Sequence, residues 1–159
     1  MKIATHHFQI PRIFAISGLL CFITSLALPS IRLILTSTPD DFYGAQAAIW
    51  SVVLGVGKFS EFSFDNGFEA AKCATLTLAG VWNLAQVITP MLLIWRAPSR
   101  SLCLYLGAAS LIGLTLGILS PLTVPESKPK VLIGYFFWLL GFALQCLAAL
   151  YASKQLRKQ

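Results

Sequence analysis

Three amide side chains stand inside long apolar stretches of the sequence: Asn83, Gln86 and Gln145. An amide both donates and accepts hydrogen bonds, and it costs free energy when it is buried without a partner. Positions 83, 86 and 90 share one face of a helix. Pro90 has no N–H, so it frees the carbonyl oxygen of Gln86 for another donor. These residues predict either hydrogen bonds between helices or the polar lining of a small pocket.

Groups with stronger chemistry are scattered along the chain. The four cysteines fall one in each apolar stretch, and no C-x-x-C pair occurs, so the motif of a thiol oxidoreductase is absent. His6 and His7 are adjacent near the N-terminus, and two adjacent ligands do not make a zinc site. No phosphate-binding loop, G-x-S-x-G or H-E-x-x-H motif is present. We therefore expect no enzyme activity, no metal site and no cofactor.

The composition indicates which elements hold the amides. Of 159 residues, 57% are hydrophobic and 11% are charged, whereas soluble domains are about 25% charged. A membrane-spanning helix needs about 20 mostly apolar residues. Backbone groups in lipid must be paired within the protein, which favours helices. The sequence predicts one polytopic membrane domain, an all-α bundle of four transmembrane helices over about residues 13–35, 73–95, 102–122 and 131–151.

The first apolar segment has a second interpretation. Lys2 and Arg12 precede it, and the Ser-Leu-Ala sequence at 25–27 is compatible with the cleavage site of a signal peptide. The apolar pattern continues beyond this site to Leu35. We therefore favour an uncleaved span.

The distribution of charge indicates an orientation. Seven of the twelve Lys and Arg residues fall on one side of the four spans, in short loops and tails, and all six acids fall on the other. Because Lys and Arg favour the cytoplasmic side, we expect an inner-membrane protein with both termini in the cytoplasm. The net charge of +6 follows from this topology and indicates no nucleic-acid partner. Tyr135, Phe136 and Trp138 are expected at the level of the outer headgroups.

The outer connection, residues 36–72, is the longest segment between the predicted spans. Asp40 and Asp41 can accept hydrogen bonds at the start of a helix, so we expect a short helix over residues 42–54 and a partly helical outer loop. Aromatic residues in this connection either cap the bundle or dock a partner, and the candidates for docking are Trp50, Phe59, Phe62 and Phe64.

Small residues recur at intervals of four in the third span, at Ala109, Gly113 and Gly117. This spacing lets two helices approach closely. The neighbouring helix is either another span of the chain or a second copy of the protein, and we favour packing within the chain.

Four short motifs mark the ends and middles of the predicted spans: Leu28-Pro29, Gly44-Ala45-Gln46-Ala47, Trp82-Asn83 with Pro90, and the Gly-Tyr-Phe-Phe-Trp-Leu sequence at 134–139. With these motifs the chain resembles small bacterial inner-membrane proteins that have four spans. The resemblance implies a four-helix inner-membrane protein and implies no particular activity.

Two functions remain open from the sequence. The first is a non-enzymatic accessory or interaction subunit of a membrane complex, whose contacts are the lipid bilayer and a membrane-protein partner or a second copy. The second is a small-molecule carrier or channel component in which Asn83, Gln86 and Gln145 line a polar path. A carrier requires a water-accessible cavity between the second and fourth spans. A tightly packed, dry bundle in which these amides bond to each other would contradict the carrier.

Overall fold

The computed structural model describes residues 9–34, 39–49, 52–53, 67–95, 98–123 and 130–157. Within these ranges the long helices are α1 Gln9–Ala27, α2 Gly67–Val81, α3 Asn83–Trp95, α4 Arg100–Thr123 and α5 Ile133–Leu156. The short strands are β1 Pro29–Ile34, β2 Pro39–Tyr43 and β3 Lys130–Val131. Residues 44–49 and 52–53 are also helical.

Four stretches of the described chain are long and apolar enough to cross a membrane: Gln9–Ala27, Thr77–Ile94, Arg100–Pro121 and Ile133–Leu156. The predicted all-α bundle with four spanning segments is therefore confirmed, and the chain is a multi-pass membrane protein. The end of α2 and all but the last residue of α3 together form the second of these stretches.

The first span is shorter than the predicted helix over 13–35. α1 ends at Ala27, and residues 29–34 form β1, so the expectation of a helix through residue 35 is wrong. Pro29 lacks an N–H and its ring clashes with the carbonyl four residues earlier, which stops a helix. The apolar residues that follow are compatible with either a helix or a buried strand. Here two neighbouring strands supply the hydrogen bonds that β1 needs.

The second predicted span, 73–95, is two helices rather than one. α2 begins earlier, at Gly67, and ends at Val81, and Trp82 forms a turn before α3. The Trp82 N–H donates to the Leu78 carbonyl at 2.8 Å, and the Ala85 N–H donates to the Trp82 carbonyl at 2.9 Å. The backbone therefore remains hydrogen-bonded through the break, as a membrane environment requires.

The outer connection is partly helical, but its helix begins later than predicted. Asp40 and Asp41, expected to cap the helix, lie on β2 instead. The Tyr43 N–H donates to Oε1 of Gln46 at 3.1 Å, in the manner of a capping box. The four aromatic residues proposed for docking, Trp50, Phe59, Phe62 and Phe64, lie outside the described residues.

A three-stranded sheet in the order β2-β1-β3 lies at one end of the bundle, which we call the sheet end. Both pairings are antiparallel. Ile31 pairs with Val131, although more than half of the sequence separates the two residues. The Leu132 N–H donates to the Ser30 carbonyl at 2.9 Å, which ties the sheet to the start of α5. A Cβ atom on Gly134 would lie 2.5 Å from Ser30 Oγ, so only glycine fits beneath this crossing.

The opposite end of the bundle, which we call the terminus end, contains the start of α1 and the end of α5. Helix α5 packs most extensively against α1 and α4, and it also contacts α3 and β1. The core at the terminus end consists mostly of small, fully buried side chains: Ala15, Cys103, Ala148, Ala149 and Ala152. Small side chains allow the helices to come close together.

Candidate functional site

Gln86 and Gln145 are completely buried between α3 and α5. Gln145 Nε2 donates to the backbone carbonyl of Gln86 at 2.8 Å, and Gln86 Nε2 donates to the carbonyl of Trp138 at 3.1 Å. The Gln86 carbonyl is the one that Pro90 leaves without an intrahelical donor. The two amides therefore connect α3 to α5 at the point where Pro90 interrupts the helical hydrogen bonds.

The region around these glutamines is tightly packed against α1. A Cβ atom on Gly18 would lie 2.9 Å from Gln145 Cγ, and one on Gly141 would lie 2.5 Å from Gln86 Oε1. Gln86 Oε1 and Gln145 Oε1 accept no hydrogen bond within the described part of the chain. These two glycines thus allow α1 and α5 to cross in contact, and the glutamines fill the space beside the crossing.

Asn83 occupies a different environment from the two glutamines. The Trp138 indole N–H donates to Asn83 Oδ1 at 2.6 Å, and Asn83 is half-buried. The neighbouring Trp82 indole donates to the Ala109 carbonyl at 2.6 Å. The two indoles therefore connect the α2–α3 junction to α5 and to α4.

Aromatic rings on one face of α5 extend from the sheet end toward the middle of the bundle. The Tyr135 and Trp138 ring centroids lie 5.9 Å apart, and those of Trp138 and Phe142 lie 5.5 Å apart. The Tyr135 hydroxyl donates to the Gly117 carbonyl at 2.7 Å. Tyr135 is 6% exposed, and Trp138 contacts Asn83 and lies near Gly117, so both rings point into the bundle, whereas Phe136 is 57% exposed. The spacing of positions 135, 138 and 142 is the sequence signal for this inward face.

The small residues of α4 lie against these rings. A Cβ atom on Gly117 would lie 2.7 Å from Leu139 Cδ2 and 2.9 Å from the Trp138 ring. A Cβ atom on Gly113 would overlap the rings of Phe142 and Trp82. The structure thus places both glycines in contacts within the chain, where they make room for aromatic side chains.

A partly open cavity of about 70 Å³ lies at the sheet end. Residues from all five long helices, from β1 and from the segment 44–48 enclose it. Its walls include Ser25, Gly44, Ala79, Asn83, Ser120 and Trp138. None of the described lining residues is charged. Asn83 reaches the cavity, and Gln86 and Gln145 do not. No pattern in the sequence indicates this cavity, because residues from distant segments form its walls.

Within the described ranges, no three His, Cys, Asp or Glu residues are grouped closely enough to hold a metal ion. Comparisons of the chain with protein-family models, with curated proteins and with solved structures find no match.

Proposed function

We propose that the protein is a non-enzymatic accessory subunit of an inner-membrane complex and binds a protein partner through its outer face. The observation that supports this proposal best is how the buried amides are used. Gln86 and Gln145 are completely buried, and both amide nitrogens donate to backbone carbonyls. These two amide nitrogens, which a carrier could offer to its cargo, therefore hold α3 and α5 together instead.

The orientation follows from the distribution of Lys and Arg. With both termini in the cytoplasm, the sheet end faces the outside of the inner membrane. Two exposed side chains there, Tyr43 at 49% and Ile49 at 63%, offer an apolar surface beside the sheet. Exposed apolar patches outside the hydrocarbon region are typical of interaction sites.

Photo-crosslinking in native membranes tests the proposal. A photoreactive amino acid is placed at Ile49, and the matched control is placed at Leu84, which is 62% exposed on the outside of a spanning segment. We expect a discrete protein adduct from position 49 and only lipid adducts from position 84, with the same protein co-purifying in mild detergent. An adduct of two copies of the chain would identify a homo-oligomer. A chain that purifies alone and forms no protein adduct at position 49 would contradict the proposal.

The orientation is tested separately with reporter fusions. A fluorescent protein that folds only in the cytoplasm is attached after Gln159, and alkaline phosphatase, which is active only outside it, is inserted between α4 and β3. We expect both reporters to be active. The reverse pattern would place the sheet end in the cytoplasm and the binding face with it.

The alternative function, a small-molecule carrier or channel component, is favoured by one observation. Asn83, one of the three candidate amides, lines the cavity at the sheet end. A carrier of this kind would need a path from that cavity past Gln86, where Gly18 and Gly141 bring α1 and α5 into contact. Uptake of a solute by vesicles that contain the purified protein would support this alternative over the first proposal.

A further inference from the structure

The cavity at the sheet end has the size and lining of a site for part of an apolar chain. Apolar cavities of about 150 Å³ stay dry and bind molecules such as benzene, and this one has a volume of about 70 Å³. Its walls are rich in small residues, including Gly44, Ala47, Ala48 and Ala79. A space of this size accommodates a few methylene groups rather than a whole ring or headgroup.

Asn83 supplies a hydrogen-bond donor at the wall of this cavity. Because its Oδ1 accepts the indole N–H of Trp138 at 2.6 Å, the orientation of the amide is set and Nδ2 is left to donate elsewhere. Nδ2 takes no part in the hydrogen bond with Trp138, and Asn83 lines the cavity. A partner for it must be an acceptor, and the uncharged lining favours a neutral acceptor over a phosphate or a carboxylate.

The surface next to the cavity indicates where such a molecule comes from. Ala79 is 4% exposed and lines the cavity, while its neighbours Leu78 and Val81 are each 46% exposed on the outside of a spanning segment. Large apolar side chains at that position are covered by lipid in a membrane protein. The lipid-covered surface of α2 thus borders the cavity, which lies near the ends of the spans.

We propose that the cavity binds a membrane lipid, with the upper part of one acyl chain inside it and the ester carbonyl accepting a hydrogen bond from Asn83 Nδ2. This lipid site is independent of the protein partner proposed above. The rest of this acyl chain lies along α2, beside Leu78 and Val81.

Fluorescence quenching of Trp138 tests the site directly. The full-length chain, with Trp50, Trp82 and Trp95 replaced by phenylalanine, is reconstituted in vesicles whose acyl chains carry bromine near the ester. We expect strong quenching, and we expect Ala79→Phe, which fills the cavity, to remove most of it. The matched control is Ala108→Phe on an exposed position of α4, which should leave the quenching unchanged. Equal quenching in both variants would show annular lipid only and overturn the proposal.

The ester contact is tested without changing the protein. An ether-linked lipid with the same chains lacks the carbonyl, so its occupancy of the site should be weaker by about 2- to 10-fold, the value of one neutral hydrogen bond. Equal occupancy by ester and ether lipids would refute the role of Asn83.

A second variant and a second measurement guard against misfolding. Ala47→Leu fills the cavity from the segment 44–49 rather than from α2. Native mass spectrometry of the unmutated chain should show one retained phospholipid, and both filled variants should lose it. If the unmutated chain retains no lipid, or the filled variants still retain it, the proposal is wrong.

Discussion

The two ends of the bundle bring their helices together in different ways. At the terminus end the contacts are made by small, fully buried side chains such as Ala15, Ala148 and Ala149. At the sheet end, the rings of Trp82, Trp138 and Tyr135 extend across the bundle and donate hydrogen bonds to neighbouring segments. The cavity lies at the sheet end.

The two ends differ in the side chains that bring their helices together. Lipid tails are as apolar as leucine, so helices in a membrane associate through close packing and hydrogen bonds rather than through hydrophobic burial. At the terminus end, alanines let the helix backbones come close together. At the sheet end, the cavity lies among Asn83, Tyr135, Trp138 and residues of β1.

The largest effect is expected from Ala149→Leu compared with Ala79→Leu. Ala149 is completely buried at the terminus end, so the larger side chain overpacks the core and should cost about 3 kcal/mol of unfolding free energy. Ala79 borders the cavity, so the same substitution should be tolerated. The unfolding free energy of both variants in lipid nanodiscs provides the measurement. Equal losses would mean that the two ends are packed alike.

A smaller effect is expected from Gly113→Ala compared with Gly107→Ala on the same helix. The added methyl group at position 113 would overlap Phe142 and Trp82, whereas the nearest atom at position 107 is 3.4 Å away. We expect a loss of about 2 kcal/mol at position 113 and a gain of up to about 1 kcal/mol at position 107 from helix propensity. Thermal denaturation in detergent distinguishes them, and a loss at position 107 would contradict the structure.

The glutamine connection is tested by a double-mutant cycle. Gln145→Leu leaves the Gln86 carbonyl unpaired and should cost about 1–2 kcal/mol of unfolding free energy. Pro90→Ala restores the N–H that can bond this carbonyl within α3. The double variant should therefore lose less stability than the sum of the two single variants. Additive losses would show that Gln145 does not serve the carbonyl freed by Pro90.

The smallest effect concerns the hydrogen bond between Trp138 and Asn83. Trp138→Phe keeps an aromatic ring but removes the indole donor, and Asn83→Leu removes the acceptor. We expect a coupling energy of about 1 kcal/mol between the two changes, as for other hydrogen bonds between membrane helices. Phe136→Leu, at an exposed position of the same helix, should show no coupling to Asn83→Leu. A coupling energy near zero for Trp138 would show that this bond does not stabilise the fold.

Much of the fold could be predicted from local properties of the sequence. Span number depends on the length and hydropathy of each segment, and both are sums over neighbouring residues. The sequence also predicts that the Gln86 carbonyl needs a donor from elsewhere. Pro90 has no N–H to donate to it, whatever the surroundings of the helix. Gln145 was a candidate from its type and depth, but its distance from Gln86 was not available in the sequence.

The predictions that failed were those that depended on distant partners. Helix α1 ends at Ala27 because Pro29 stops it and because Ile31 finds a strand partner at Val131. An apolar run of this length has the same hydropathy in a helix and in a strand, so the boundary depends on that pairing. Asp40 and Asp41 lie on β2 rather than at the start of a helix because they pair with Leu33 and Arg32 of β1.

The sequence by itself therefore determined a four-span helical membrane protein, the inward face of α3 and the carbonyl that Pro90 frees. Only the tertiary structure decided that Gln145 meets this carbonyl, that β1 replaces the end of the first span, and that a cavity forms beside Asn83. Hydropathy and backbone chemistry act on neighbouring residues. Contacts and empty spaces depend on which distant segments pack together.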